Sequence, residues 1–383
     1  MFVYLDNNAT TRCAPEVVDA MLPFFSERYA NPASPHALAR DASRAVARAR
    51  EQVAGSLDCD TSEVYFTSGA TEANNLAILG LADQASPRRK IVTSAIEHKS
   101  VLGPCAFLER FGYTVVTLPV SSQGVIDLET AANEIDADTL LVSLQLVNNE
   151  IGTVQPVQRI SEMAHERGAF VHCDAVQALG KMPVSVASLD VDLCSFSSHK
   201  AYGPKGVGLL TVRRRTGLLP LTPRTFGGEQ EGGVRPGTLN VPGIVGTGEA
   251  CNQCVGDLRS ETARIAGLRA ALEEGIRRAA PEAVIVGAKA ERVPGTTAVI
   301  FPGIAADILI ARTPSVCMSS GSACSSGTLA PSHVMLAIGV EPEMARSAVR
   351  LSLGRYNDGA QIQAAIHALG ESVRMLRRDC DRS

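Results

Sequence analysis

The sequence predicts an α/β protein with a mostly parallel, helix-flanked sheet and a second, smaller α/β domain. Three observations carry this. Short apolar runs alternate with helical patterns through the first two thirds of the chain. Several runs are apolar throughout, as in strands buried on both faces. After about residue 250 the alternation gives way to a long helical segment rich in Glu, Ala and Arg.

The candidate strands are Glu63–Thr67, Ile91–Ser94, Thr114–Leu118, Leu140–Leu144, Ala169–Cys173, Leu193–Ser197 and Val207–Val212. Between them lie helices such as PVQRISEMAHERG. There Pro156 suits the first helical position, Val157, Ile160 and Ala164 share one face, and Gly168 ends the run. Alternation of this kind implies a parallel sheet flanked by helices. Beyond residue 250 come a strand-like TTAVIF, a serine-rich loop and a closing helix. In that helix Ile362, Ile366, Leu369, Val373 and Leu376 form an apolar stripe.

A chain of 383 residues can bury a sizeable core and form two domains. Its net charge of −4 gives no general pull toward nucleic acid or anionic membrane. The basic run Arg213-Arg214-Arg215 reads as a solvated strand end. The start, MFVYLDNNATT, lacks the pattern of a signal peptide. The most apolar window, AVIFPGIAADILIA, is broken by Pro302-Gly303 and Asp307, so no membrane span is expected. A cytosolic protein with reduced thiols follows. The ten cysteines are scattered. Cys251 and Cys254 form a lone CxxC without the second pair a zinc ribbon needs, so they read as structural.

Three strand ends carry chemistry. Lys200, in SFSSHKAYGPKG, follows a strand at the edge where open α/β sheets hold ligands. Ser197 and His199 beside it can bond an anion, and the nearby glycines allow close approach. Such a lysine suits a Schiff base with a carbonyl cofactor; the ordinary alternative is a surface lysine. Asp174, in AFVHCDAVQ, would be costly to bury without a partner. A pyridinium nitrogen is one partner and a helix start is another. Gln177 suits either a ring oxygen or a cap. FTSGATEANN reads as strand, glycine turn and helix. Gly69, Ala70 and Thr71 would offer open N–H groups to a phosphate, although Thr-x-x-Asn also caps ordinary helices. Together these describe a pyridoxal phosphate site. Separately, SSGSACSSG places Cys324 in a run too small and polar to build a core. That cysteine is either incidental or the reason for the loop.

The segments YLDNNATT, NPASPH, FTSGATEANN, EHKSVL, VNNEIGTVQP, HCDAVQALGK, SFSSHKAYGPKGVG, RPGT, SSGSACSSGTLAPSHV and VRLSLGR resemble those of the class-I (NifS/IscS-type) cysteine desulfurases. They run in family order from near residue 4 to residue 355. The resemblance implies the fold-type I architecture of aspartate aminotransferase, as a homodimer with pyridoxal 5'-phosphate. The expected division is a large cofactor-binding domain over 13–252 and a small domain of 1–12 and 253–383 carrying the cysteine loop. It implies Lys200 as the Schiff-base lysine, Asp174 at the pyridine nitrogen and Gln177 at the ring hydroxyl. His98, otherwise a core histidine, would stack on the ring. Ala70, Thr71, Ser197 and His199 would hold the phosphate, with Thr238 reaching in from the other subunit. Asn149 and Arg350 would take the substrate carboxylate, and a planar guanidinium suits that task.

Cys324 matches the family's catalytic cysteine. The implied reaction turns L-cysteine into L-alanine and leaves a persulfide on Cys324. A free thiol ionises near ~8.5, so the site must supply the thiolate. Cys317 reads as a buried strand residue. The loop GGEQEGGVRPGT departs from the family pattern, with Gly232 where an arginine is expected and Glu229 added. The end RRDCDRS is shorter than the scaffold-docking tail of many iron–sulfur desulfurases. Transfer-RNA thiolation and DNA phosphorothioation therefore stand beside iron–sulfur assembly as destinations for sulfur. Two other functions compete: a different fold-type I enzyme, such as an aminotransferase or selenocysteine lyase, and a non-catalytic sulfur relay. The mobile thiol counts against the first, the Lys200–Asp174–His98 set against the second.

Overall fold

The computed structural model describes residues 2–82, 86–214, 219, 221–256, 258–321 and 331–380. Thirteen strands are found among them. They are β1 (Val3–Tyr4), β2 (Val64–Thr67), β3 (Lys90–Ser94), β4 (Thr114–Leu118), β5 (Thr139–Gln145), β6 (Phe170–Asp174), β7 (Leu193–Ser197), β8 (Gly208–Val212), β9 (Val284–Val286), β10 (Thr296–Ile300), β11 (Val316–Cys317), β12 (Ser319–Ser320) and β13 (Ala348–Ser352).

A seven-stranded sheet has the order β2-β8-β7-β6-β5-β3-β4. β8 runs antiparallel to both neighbours, and the other pairs are parallel. All seven strands lie within about two residues of the sequence expectation. Glu63 is the exception in kind: it closes a capping box with Asp60 in a short helical turn before β2. β5, β7 and β8 are buried along their whole length, which is why they read as unbroken apolar runs. Arg213, just past β8, bonds Asp190 at 2.7 Å rather than standing free in solvent.

Helices cover both faces. Val157–Glu166 buries Val157, Ile160 and Ala164, as its spacing predicts. Pro156 sits one position earlier than expected, at the cap, and Gly168 leaves the helix at φ +69°. Gly208 has no room for a side chain: a Cβ there would lie 2.3 Å from the carbonyl carbon of Gly69. That contact seats the turn after β2 directly against β8.

A second, antiparallel sheet has the order β12-β13-β10-β9. The Gly359–Cys380 helix packs its stripe into the same apolar cluster, with Ile362, Leu369 and Val373 buried. Val3 and Leu5, from the start of the chain, lie in that cluster too. β1 pairs with β11, and Asp6 bridges to Ser352. Cys317 lies on β11 as expected but is only half-buried, because a two-stranded ribbon covers one face poorly. Cys251 and Cys254 are buried in the Val241–Gly256 helix. Among the described residues no cluster of metal ligands occurs, and no helix is long and apolar enough to cross a membrane.

Candidate active site

The C-terminal ends of β2, β3, β5, β6 and β7 meet at one cavity of about 590 Å³. That volume falls in the range of roughly 300–1,000 Å³ usual for small-molecule sites. Ala70, Thr71, His98, Asn149, Asp174, Gln177, Ser197, His199, Lys200 and Arg350 all line it. Thr238 does not line it within this chain; it is exposed on a separate loop. Cys324 lies outside the described residues.

Lys200 follows β7 by a short helical turn, and its Nζ donates to the carbonyls of Asn8 and Ala9 at 2.5 and 2.6 Å. Asp174 ends β6. Its Oδ1 accepts from the Val176 amide, and its Oδ2 accepts from Nδ2 of Asn74 at 2.8 Å. Asn74 also donates to Oγ of Ser100 at 2.8 Å, and Ser100 reaches Nδ1 of His98 at 2.7 Å. The Ser100 amide donates to the same Nδ1. Two donors on Nδ1 place the His98 proton on Nε2. One chain of bonds therefore runs from the carboxylate to the imidazole.

The helix Ala70–Ala82 begins at the cavity wall, and its first N–H groups have no helical partner. Glu72, one turn in, accepts from the Ser68 amide and from Nε of Arg235, so the RPGT segment is tied to this turn. His199 is pushed down to about 4 by burial and by Lys200, Lys205 and Lys181. It is a neutral donor-acceptor rather than a cation near pH 7.

Arg350 stands on β13 and is 3% exposed. Its Nη2 donates to Oδ1 of Asp6 at 2.8 Å and its Nη1 to the carbonyl of Asn149 at 3.0 Å. Its buried Nε has no partner among the described residues. A buried guanidinium on a residue that lines a cavity suits an anionic ligand. Next to Asn149, burial pushes the Glu150 carboxyl up to about 7 against the Ser332 hydroxyl and Arg350. Ser332 donates to Glu150 at 2.5 Å, and a Cβ on Gly321 would lie 2.4 Å from the same oxygen. Glu150 thus touches both described flanks of the segment that carries Cys324.

Several residues here have no sequence-level assignment. Asn74 falls in the Thr-x-x-Asn run that also caps ordinary helices, and Ser100 carries no expected role. Asn8 and Lys181 lie inside quoted motifs but carry no expected role. Asn8 is a junction: its carbonyl receives Lys200 and Gln177, its Oδ1 receives Lys181, and its Nδ2 donates to Asn149 and Thr296. The signal was the density of polar residues in YLDNNATT, too short for a core strand and too specific for a loop.

A lysine amine, a buried carboxylate, an imidazole and an open helix start surround a space that Gly69 and Gly206 also line. These residues fit pyridoxal phosphate: amine for its carbonyl, carboxylate for its ring nitrogen, N–H groups for its phosphate.

Comparison with known proteins agrees with this donor set. The profile of the family described as "Aminotransferase class-V" matches residues 3–365. The chain is 40% identical over 377 residues to "Cysteine desulfurase IscS" of Rickettsia rickettsii, covering 98% of this chain and 92% of that protein. A solved structure, "NIFS-LIKE PROTEIN", superposes with a TM-score of 0.92 at 37% identity, covering 98% of this chain and 100% of that one. Another, "SspA in complex with cysteine", gives 0.82 at 36% identity, covering 93% and 99%. With nearly the whole length matched, the chain belongs to the class-V aminotransferases and, within them, to the pyridoxal phosphate-dependent cysteine desulfurases.

Proposed function

We propose that this protein removes sulfur from L-cysteine, releasing L-alanine and holding the sulfur as a persulfide on Cys324 for an acceptor protein. The observation that carries it is the convergence of Lys200, Asp174, His98 and Arg350 on one cavity. Pyridoxal phosphate, when bound, supplies an electron sink that makes the α-proton of an amino acid acidic. Arg350 and Asn149 orient the substrate through its carboxylate. Lys200 would receive the α-proton at Nζ, and Asp174, held by Asn74, would hold the ring nitrogen. His98, with its proton on Nε2, would lie against the ring. The Cys324 thiolate attacks the substrate sulfur: an S–S bond forms, the C–S bond breaks, and the carbon keeps the electron pair and takes a proton as alanine departs.

Residues 1–12 and 253–383 read as the smaller domain, supported by the packing of Val3 and Leu5 with Leu272 and Leu369. Two copies form the working unit, with Thr238 completing the partner's phosphate site. The exposed Val18, Leu22, Phe25 and Tyr29 near the chain's start support that association. The protein works in the cytoplasm, and its acceptor belongs to iron–sulfur assembly, transfer-RNA thiolation or DNA phosphorothioation.

Cys324→Ser tests the reading. The fold and the cofactor's visible band should persist, and cysteine should still exchange its α-proton with D2O. Sulfide release and protein-bound persulfide should vanish, because a serine hydroxyl is too weakly ionised to attack sulfur. A variant that still yields alanine and a protein-bound persulfide would transfer the role to Cys317.

A further inference from the structure

Lys181 stands behind the site, not in its wall: it does not line the cavity, but Asn8 and Gln177, which it bonds, do. Its Nζ donates to Oδ1 of Asn8 at 2.8 Å and to Oε1 of Gln177. Gln177 in turn donates its Nε2 to the Asn8 carbonyl at 3.0 Å. The same carbonyl receives Nζ of Lys200 at 2.5 Å. Lys181, Gln177 and Asn8 thus close a ring of hydrogen bonds, and Lys200 is attached to it.

An ammonium can only donate. It therefore accepts no arrangement in which a side-chain NH2 faces it. Gln177 must turn its oxygen to Lys181, which leaves its NH2 for the Asn8 carbonyl and the cavity. Asn8 must do the same, and its Nδ2 then meets the Asn149 carbonyl at 3.1 Å and Oγ1 of Thr296 at 2.9 Å. Both amides are nearly symmetric in shape, so sterics alone would not choose between their two orientations. The ammonium on one side and a backbone carbonyl on the other, that of Asn149 for Asn8 and that of Asn8 for Gln177, favour the same choice. Lys181 also stands with Lys200 and Arg350 in a group of cations. Burial, then Lys200, then Arg350 press its proton affinity well below that of a free lysine. Such a group is relieved by an anion placed among its members.

We propose that Lys181 is a positioning residue for the cofactor's ring oxygen: it locks the Gln177 amide with NH2 toward the cavity and, through Asn8, holds Lys200 in register with it. This rests on the reading of the cavity as a pyridoxal phosphate site with Gln177 at that oxygen.

The test is a pH titration of the visible absorbance band of the holoenzyme. Lys181→Met keeps the length and loses the donor. Its band midpoint should move upward by about one unit, the low end of the effect of a neighbouring charge. Lys181→Arg, which still donates, should restore the midpoint. Gln177→Leu should reproduce the shift, and Lys181→Met added to it should shift nothing further, because the two act as one unit. An unmoved midpoint in folded Lys181→Met overturns the proposal, as does a shift that adds to that of Gln177→Leu. Should Lys181→Met fail to fold, Lys181→Gln fills the space with a group that donates only weakly, and the same criteria apply. A wild-type protein with no visible band would overturn the cofactor reading itself, and this proposal with it.

Discussion

Replacing Arg350 with lysine keeps the charge and removes the fork. In the structure two of the guanidinium's nitrogens are already committed, one to Asp6 and one to the Asn149 carbonyl. The second N–H of each of those nitrogens is left for a ligand. A lysine has three donors on one atom. Satisfying Asp6 and Asn149 takes two, so one is left where arginine offers a bidentate grip. The substrate carboxylate then loses one charged hydrogen bond, worth about 1.5–3 kcal/mol. At about 1.4 kcal/mol per factor of ten, kcat/KM for cysteine should fall about 10- to 150-fold. The assay is alanine formation under steady-state conditions, normalised to bound cofactor. Because the carboxylate is gripped before and during the reaction, the loss should appear mainly in KM. A folded, cofactor-loaded Arg350→Lys enzyme with kcat/KM within about threefold of wild type would show that another group holds the carboxylate.

Glu97 is fully buried, and its Oε2 has no partner among the described residues. Burial pushes its carboxyl up to about 8, against the Ser94 hydroxyl that donates to Oε1 at 2.5 Å. Its folded value lies above the unfolded one, so folding binds a proton, and the carboxyl's cost grows as pH rises from about 4.5 to about 8. Glu97→Gln should therefore stabilise the protein at pH 9, by up to about 5 kcal/mol, and change little near pH 5; equal shifts in Tm at both pH values would contradict this. Thr238→Ala should weaken cofactor retention in a dimer, and a protein that light scattering shows to be monomeric at full turnover would remove Thr238 from the phosphate site.

Much of this molecule was legible because its strands are single-minded. β5 and β7 are buried throughout, so no competing pattern hides them. Lys200, Asp174 and Gly69 stand at strand ends, where sequence position and spatial position coincide. What the sequence hid depends on contacts between distant residues. Asn74 and Asp174 are a hundred positions apart, and no local pattern marks a helix asparagine as the donor to a carboxylate. Lys181 resembles any lysine after a turn until Asn8, 173 positions earlier, is folded beside it. Cys317 was assigned the right element and too much burial, because two apolar neighbours in sequence do not guarantee a covered sheet. Glu231 lies within the departure loop, at φ +49°, and its carboxylate bonds Arg50 and the Phe66 amide. That loop is thus anchored along the edge of β2 by charges no motif announces.

The pairing of β1 with β11 bears on how the protein is made. Residues 3–7 are made well before their partners: Val3 and Leu5 bond Ser315 and Cys317, and Asn7 bonds Ser352. Those partners emerge more than three hundred positions later. Until then residues 3–7 lack the partners that hold their backbone, while Asn8 and Thr11 already have Lys181, Lys200 and His199 to meet. The large sheet can assemble earlier, with its lysine at the strand end but without Arg350 in the cavity wall. Completion of the site therefore waits for residues 315–352, which seat the opening strand and bring in Arg350. A ribosome-stalled chain ending near residue 300 would hold the sheet and lack the finished cavity.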